Sequence, residues 1–258
     1  MQSDPNYFVA FEQAHVPLYS MATDYTAGHH FATHAHDTAQ LLYAIEGLML
    51  IETAKGRWIV PSQRGVWLAP QTWHAVTMLT AVKMRSVFIQ PSVVMHFNAA
   101  ICVLQTSALL RELILASSQI MAPYSENSRE GRITALLLDE LRLSPVLPFY
   151  LPWPTDLRLQ QHCQQLLDFP QQHSTIAQIS QQLGMSQMTL QRRFIQQTGL
   201  RFGQWRQQAR LLLALEKLAR GEKIISVALN VGYASQSAFT ASFKQQFGLT
   251  PSLFCRQS

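Results

Sequence analysis

The chain has 258 residues, a hydrophobic content of 48% and a formal net charge of +5. This length suits about two globular domains, each with a core of its own. No apolar run reaches the ~18 residues of a membrane span, the first residues lack a secretory signal, and the cysteines form neither a disulfide framework nor a zinc spacing. We therefore expect a cytoplasmic protein with no membrane segment.

Short apolar runs separated by turn signals fill the first hundred residues. Gly47, Lys55-Gly56 and Pro70-Gln71 mark such turns. Many short strands at this spacing predict an antiparallel barrel or jelly roll, to which we assign residues 1–100. The predicted strands cover residues 40–43, 48–52, 57–60, 66–68, 75–79 and 83–89.

Three histidines stand out in this region. His34 and His36 are two residues apart, so on a strand they point to the same side, and a closed barrel can bring His74 beside them. The spacing of residues 28–47 resembles the first cupin motif, with Gln40 in place of the usual glutamate, and that from Gly65 through Pro70 to His74 resembles the second.

Two interpretations of the histidines remain open. Three imidazoles suit zinc, nickel, copper or iron, so they could hold a divalent transition metal with Gln40 as a weak oxygen ligand. Alternatively, they line a metal-free pocket and hydrogen-bond a polar or anionic ligand. No other cofactor is indicated.

A small barrel has room for one small ligand, so we expect an effector site in this domain. Aromatic residues should fill the rest of the interior, namely Tyr43, Trp58, Trp67, Trp73 and Phe88. The predicted effector-binding residues are His34, His36, Gln40, Tyr43, Trp67 and His74.

Residues 101–143 contain two amphipathic patterns, which predict helices over 104–120 and 129–143. The apolar face of the first helix should include Leu109 and Leu113, and that of the second should include Leu136 and Leu137. The pair could form a homodimer interface, as we expect, or pack only on the barrel.

Prolines mark the domain boundary. Four of them lie within residues 144–154, which excludes a helix or a central strand there. We assign residues 144–155 to a linker that packs against one domain. Residues 156–258 form the second domain, whose first helix should cover residues 156–169.

The last third of the chain repeats one pattern. In each copy an apolar helix ends at a glycine, Gly184 or Gly232, and a serine soon afterwards can cap the next helix. That next helix carries two apolar residues four apart, which form a single buried stripe. Each copy therefore predicts a helix-turn-helix unit.

The opposite face of each second helix suits contact with double-stranded DNA. Arginine pairs with guanine, glutamine pairs with adenine, and an apolar group can touch the methyl group of thymine. The second unit offers weaker donors and has Ala241 where a donor would be useful. The predicted DNA-binding residues are Gln187, Met188, Thr189, Gln191 and Arg192 in the first unit, and Gln236, Ser237, Thr240 and Lys244 in the second.

Residues 176–252 closely resemble the two-unit DNA-binding domain of the AraC/XylS family of bacterial transcription regulators. The resemblance includes both helix-turn-helix units, the connecting helix that begins at Phe202, and the ending Phe247-Gly-Leu-Thr-Pro251. It implies that the two recognition helices enter successive major-groove segments about one helical turn (~34 Å) apart. It also implies a homodimer, control of transport or catabolic genes, and RNA polymerase as a partner if the protein is an activator.

Charge supports nucleic-acid binding independently. Residues 155–258 carry eleven Lys and Arg against four Asp and Glu, a net of +7, whereas residues 1–154 carry nine against eleven, a net of −2. Because phosphate neutralisation supplies most non-specific affinity for DNA, the basic half is the expected DNA-binding half.

Two functions follow from these patterns. The first is a DNA-binding transcription regulator, not an enzyme, in which a small-molecule effector in the cupin-like barrel alters operator affinity. The alternative is a cupin-type metal-dependent enzyme with secondary DNA binding. We favour the regulator because facial-triad iron chemistry needs a carboxylate ligand, and Gln40 is not one.

Overall fold

A computed structural model describes residues 16–93, 100–172 and 174–257. The chain divides into two compact units. Residues 1–49 and 60–147 form the first, here called the barrel unit. Residues 50–59 and 148–258 form the second, here called the helical unit. The short segment 50–59 lies within the N-terminal sequence, yet it groups with the C-terminal helices.

The strands form two sheets, and every strand pair whose register is described is antiparallel. One sheet has the order β1-β8-β3-β6-β9-β10 and the other the order β11-β5-β4-β7-β2. This agrees with the predicted cupin-like β-domain. The strands are β1 (Leu18–Tyr25), β2 (His30–His34), β3 (Ala39–Glu46), β4 (Leu48–Thr53), β5 (Gly56–Pro61), β6 (Arg64–Leu68), β7 (His74–Met78), β8 (Val82–Ile89), β9 (Ile101–Gln105), β10 (Val146–Leu147) and β11 (Tyr150–Pro152).

Both faces of the first sheet are buried, as the central strand β3 shows. Its first six residues are all inaccessible to solvent. Because successive side chains on a strand point to opposite faces, Leu41 and Tyr43 lie on one face while Gln40 and Leu42 lie on the other. Leu41 and Tyr43 join Trp67 in a core with the following helices, whereas Gln40 and Leu42 line a cavity.

Two helices cover the first of these faces: α1 (Ala108–Ser117) and α2 (Arg129–Arg142). Each begins at a serine whose hydroxyl accepts a backbone N–H of the first turn, Ser107 for α1 and Ser128 for α2. The residues that they bury in the shared core are Leu110, Leu113, Ile114, Leu137, Leu138 and Leu141.

The predicted start of α1 at residue 104 is wrong. Residues 101–105 pair with β6 and β10 as strand β9, and the helix begins only after the cap at Ser107. A short apolar run fits either a strand or a helix, and strand pairing decides this one. The register was also wrong at Leu109, which is 48% exposed, and at Leu136, which is 42% exposed.

The proline-rich segment contains only short edge strands, as the sequence predicted. β10 and β11 each lie at the end of a sheet, where a proline need not complete a ladder. Within the helical unit, β11 pairs with residues 56–58 of β5.

The rest of the helical unit consists of helices. They are α3 (Leu157–Asp168), α4 (Ile176–Gln182), α5 (Gln187–Thr198), α6 (Phe202–Ala219), α7 (Ile224–Asn230), α8 (Gln236–Phe247) and α9 (Pro251–Gln257). No helix of the described chain is long and apolar enough to cross a membrane.

Two helix-turn-helix units are present, as predicted. α4 and α5 form one, and α7 and α8 form the other. The turns contain Gly184 with φ 63° and Gly232 with φ 87°. Ser186 caps α5 and Ser235 caps α8. The expected apolar pairs, Leu190 with Phe194 and Phe239 with Phe243, are fully buried, which leaves the opposite face of each helix to polar residues.

Candidate functional site

A cavity of about 310 Å³ lies in the barrel unit. Its apolar lining comes from several strands, and three of its polar groups, all histidines, lie close together. The apolar side chains include Met21, Leu42, Val76, Met84 and Phe88, and the polar ones include His34, His36, Gln40, His74 and Ser86. An apolar enclosure with a few converging polar groups is typical of a small-molecule site.

The three histidines converge, as their spacing predicted. His34 ends β2 and is the register partner of His74, which begins β7. The ring centroids of His34 and His74 are 4.4 Å apart, those of His34 and His36 4.9 Å, and those of His36 and His74 5.7 Å. One ring nitrogen from each histidine lies within 4.8 Å of the other two.

Two of these rings are oriented by backbone carbonyls. His34 Nδ1 lies 2.7 Å from the carbonyl oxygen of Ala32, and His74 Nδ1 lies 2.8 Å from that of Thr72. Because a carbonyl oxygen only accepts, each Nδ1 carries the proton and each Nε2 keeps a lone pair. His74 is buried, with its Nε2 inaccessible to solvent and not hydrogen-bonded within the described chain.

Two of the histidines, His36 and His74, favour their neutral forms. Burial, together with smaller effects of the neighbouring His34 and His74, lowers the pKa of His36 to about 4, against the opposing effect of Asp37. Burial also lowers the pKa of His74, although the Thr72 carbonyl opposes this shift. Neutral imidazoles can accept a hydrogen bond or ligate a metal.

Gln40 supplies an amide to the same cavity lining. It is 6% exposed, and no group among the described residues hydrogen-bonds its buried Oε1. Asp37, which is near the histidines in sequence, instead accepts a hydrogen bond from Gln71 and is absent from the cavity lining.

Two of the predicted effector-binding residues, Tyr43 and Trp67, do not line the cavity, and Trp58 and Trp73, which were expected in the barrel interior, do not line it either. Tyr43 and Trp67 lie on the opposite face of their sheet, in the core with α1 and α2. Trp58 stacks on Tyr150 in the helical unit, at a centroid distance of 4.4 Å. Trp73 precedes β7 and is 64% exposed. Only Phe88 of the predicted aromatic set lines the cavity.

Residues of β1 and β8 complete the lining, and the sequence analysis missed all of them except Phe88. Met21, Thr23 and Tyr25 alternate along β1, and Met84, Ser86 and Phe88 alternate along β8. The sequence signal was the strand alternation, in which every second residue points to the same face of the sheet. Once one residue of a strand is known to line the cavity, this alternation identifies the others.

The recognition helix of the first unit exposes most of its predicted DNA-binding residues. Met188 is 82% exposed, and Gln187 and Arg192 are also exposed. Gln191 is half-buried, with its Oε1 inaccessible to solvent. The hydroxyl of Thr189 lies 2.9 Å from that of Ser186, within the helix cap, so it is less available to a base.

The second recognition helix, α8, presents a weaker donor set. Gln236, Ser237 and Lys244 are exposed and Thr240 is half-buried. Ala241 is exposed between them, as expected. Lys244 is the one cationic side chain on α8. The exposed face of α8 therefore suits contacts to phosphate groups better than bidentate contacts to bases.

Within the helical unit, residues in and next to the linker contact both recognition helices. Gln197 of α5 accepts hydrogen bonds from the backbone N–H groups of Thr155 and Asp156, at 2.9 and 3.0 Å. Phe247 of α8 stacks on Phe149, with centroids 4.9 Å apart. Residues 148–155 of the linker therefore lie in the helical unit, whereas residues 146–147 pair with β9 in the barrel unit, so the linker is divided between the two units and not packed against one as expected.

Comparison with known proteins identifies the family. A helix-turn-helix domain model matches residues 179–257, and an AraC-like ligand binding domain model matches residues 20–144. The transcriptional regulator NimR of Escherichia coli is 30% identical over 218 residues, which cover 84% of this chain and 80% of NimR. The chain belongs to the AraC family.

Two further proteins are similar to this chain. The arabinose operon regulatory protein of Salmonella typhimurium is 32% identical over 147 residues, which cover 55% of this chain and 50% of that protein. The structure of ToxT from Vibrio cholerae aligns over 94% of this chain and 99% of its own, with 13% identity and a TM-score of 0.40. NimR and the arabinose operon regulatory protein are transcription regulators, so the alternative of a cupin metalloenzyme is set aside.

Proposed function

We propose that this AraC-family regulator reads its operator mainly through α5 and holds its effector in the barrel cavity. The observation that carries the DNA assignment is the exposed face of α5, where Gln187, Met188 and Arg192 project away from the buried stripe. Arginine and glutamine are the side chains that make bidentate contacts to guanine and adenine in the major groove.

α8 has a different proposed role. Its hydroxyl groups and Lys244 suit phosphate oxygens, which fix the position of a protein on DNA without reading its sequence. The two recognition helices would then enter successive major-groove segments about one turn (~34 Å) apart, with α5 supplying most of the specificity.

Gel-shift assays in a salt titration test this proposal. The full-length protein would be bound to DNA from upstream of its own gene and to a scrambled duplex of equal length. We expect tighter binding to the upstream DNA at every salt concentration, with a negative salt slope on both duplexes. Equal affinity for the two duplexes would contradict sequence-specific binding at this operator, and binding to neither would contradict the proposal as a whole.

The effector assignment rests on the barrel cavity and its three converging histidines. An effector can shift operator binding only by its differential affinity for two arrangements of the protein. We therefore expect cavity variants such as His36→Ala to retain DNA binding and to lose the response to effector. Loss of the fold in such a variant, measured by circular dichroism, would instead indicate a structural role.

A homodimer interface on α1 and α2 is also part of the proposal. Leu109 on α1 and Leu136 and Leu143 on α2 expose apolar surface, and the last two are seven residues apart on one face. Sedimentation of Leu136→Asp should show a shift from dimer to monomer, whereas Arg132→Ala serves as an exposed control on the same helix. Unchanged sedimentation of the first variant would place any dimer interface elsewhere.

Cellular partners follow from operator binding. The chain would act in the cytoplasm, where bacterial DNA is found, and would contact RNA polymerase if it activates transcription. A reporter gene under the upstream DNA would show the direction of control by comparing cells with and without the protein.

A further inference from the structure

The polar end of the barrel cavity has the properties of a metal centre. The hydrogen bonds of His34 and His74 to the carbonyl groups of Ala32 and Thr72 leave an Nε2 lone pair on each ring. Metal-ligating histidines usually donate their other ring N–H to such a carbonyl, which fixes the tautomer and the ring orientation. Two of the three rings thus already have the outer partners of metal ligands.

The distances fit a transition-metal ion. Zinc is bound by histidine nitrogens at about 2.0–2.1 Å, so two nitrogens on one ion lie at most about 4 Å apart. The three candidate nitrogens lie within 4.8 Å of one another. Side-chain rotations that move each nitrogen by less than about 1 Å would bring all three to bonding distance.

The buried amide of Gln40 adds a neutral oxygen donor to the lining of the cavity. Its Oε1 is inaccessible to solvent and has no hydrogen-bond donor in the described parts of the chain. A buried polar atom of this kind normally has a partner. The Oε1 atom is a hard oxygen ligand, so an ion bound by the imidazoles could also be coordinated by it.

The cavity lining contains no side chain that would balance a cation. None of its described residues is aspartate, glutamate, lysine or arginine, and the nearby Asp37, which acts on His36 from outside the lining, would offset only part of the charge of a dication. A buried charge is costly unless it is paired. An anionic group on a bound molecule would complete the pairing, and the apolar walls formed by Met21, Leu42 and Met84 favour a molecule with an apolar body.

From these observations we propose that His34, His36 and His74 bind a divalent transition-metal ion, and that this ion holds the anionic group of a small effector whose apolar part fills the cavity. This inference rests on the proposed effector site and specifies its ligand class. Three protein ligands leave a coordination position open for such a group. A metal-free pocket that binds the effector through hydrogen bonds is the competing outcome.

Cobalt(II) titration of the full-length protein tests the metal site directly. After removal of metals with a chelator, we expect visible d–d absorption that saturates at one Co²⁺ per chain. His34→Gln should weaken binding by at least about tenfold, since even the loss of an outer-sphere partner costs 10–100-fold. His30→Gln is the matched control, because this exposed histidine lies on the same strand but outside the cluster.

His34→Gln is preferred to a variant of His74, because the side chain of His74 is buried and its loss threatens the fold. Circular dichroism would verify that both variants fold. Absence of saturable Co²⁺ binding would overturn the metal site, and so would equal affinities in wild type and a folded His34→Gln.

The anionic ligand is tested on the same cobalt protein. Hexanoate should shift the d–d bands, and hexan-1-ol, which has a similar apolar chain but no charge, should not. Equal effects of the two probes, or no effect of hexanoate, would overturn this part of the inference. Gel shifts on the same preparations distinguish failure of the metal site from failure of the proposed function. Protein that binds its operator but no metal would refute only the metal site. Protein that binds metal but does not discriminate its operator from scrambled DNA would refute the proposed function.

Discussion

The turn glycines of the two helix-turn-helix units should respond very differently to alanine. Both have a positive φ, which costs an L-residue about 1–2 kcal/mol. At Gly184 an added Cβ would meet no atom within 4 Å. At Gly232 it would lie 2.7 Å from the carbonyl oxygen of Pro170 and 2.8 Å from the guanidinium of Arg210.

The arginine side chain at Gly232 is not free to move away easily. Arg210 Nε donates to the carbonyl oxygen of Pro170 at 3.1 Å, and its Nη1 donates to that of Gly232 at 3.2 Å. Overpacking a well-packed site costs about 1–3 kcal/mol. We therefore expect Gly232→Ala to lower the free energy of unfolding by about 2–5 kcal/mol, and Gly184→Ala by about 1–2 kcal/mol.

Urea denaturation of the full-length protein, followed by far-UV circular dichroism, measures this difference. Gly203→Ala is the control, because Gly203 lies in α6 with open space at its Cβ and no positive φ. That variant should be stabilised by up to about 1 kcal/mol, since glycine is a poor helix former. Equal destabilisation by Gly184→Ala and Gly232→Ala would refute the contact argument.

Three further predictions concern DNA contact, the linker and the core. Arg192→Ala should cost about 1–3 kcal/mol of operator affinity and relax discrimination at one base pair, whereas Lys244→Ala should weaken binding to all sequences and flatten the salt dependence; equal losses on random DNA would contradict this division. Trp205→Phe should destabilise the helical unit by about 1–3 kcal/mol in thermal unfolding, because the indole donates to the buried Pro152 carbonyl at 2.6 Å; an unchanged melting temperature would show that this bond contributes nothing. Leu137→Ala should cost about 2–5 kcal/mol in urea, because the residue is fully buried beneath α1, and exposed Leu136→Ala should cost much less.

Local signals explain why the DNA-binding half was predictable. Each unit is specified by a glycine, a serine cap and an apolar pair that lie within a dozen consecutive residues. The histidine cluster was also predictable from the spacing of His34 and His36, although β2 ends at His34 and His36 follows it outside the strand, so strand alternation is not what brings the two together. The position of His74 in the cluster followed from the expectation that the strands form a closed barrel.

The cavity lining was harder to predict, because β3 is buried on both faces and shows no polar alternation. Even so, Gln40 and Tyr43 are three residues apart and cannot share a face of one strand, so the predicted set was inconsistent. Trp67 is the register partner of Leu41 and follows it away from the cavity. The start of α1 was missed for a different reason, since the apolar run of β9 fits either type of element.

The grouping of residues 50–59 with the C-terminal helices could not be read from the sequence, because about ninety residues separate this hairpin segment from its partners. Within the helical unit, the Trp153 N–H donates to the carbonyl of Lys55 at 2.9 Å, and the Ile59 N–H donates to that of Phe149 at 3.0 Å. The Arg57 guanidinium lies over the Trp153 ring, 5.4 Å from its centroid.

This arrangement matters for recombining regulators of the family. A chimera joined only at Pro148 would pair a foreign hairpin with the native linker and mismatch residues 55–59 with residues 149–153. A chimera that also transplants residues 50–59 keeps those partners together. The helical unit, which contains both helix-turn-helix units, is therefore encoded by two separate stretches of the gene. Exchanging it intact requires three crossovers rather than one.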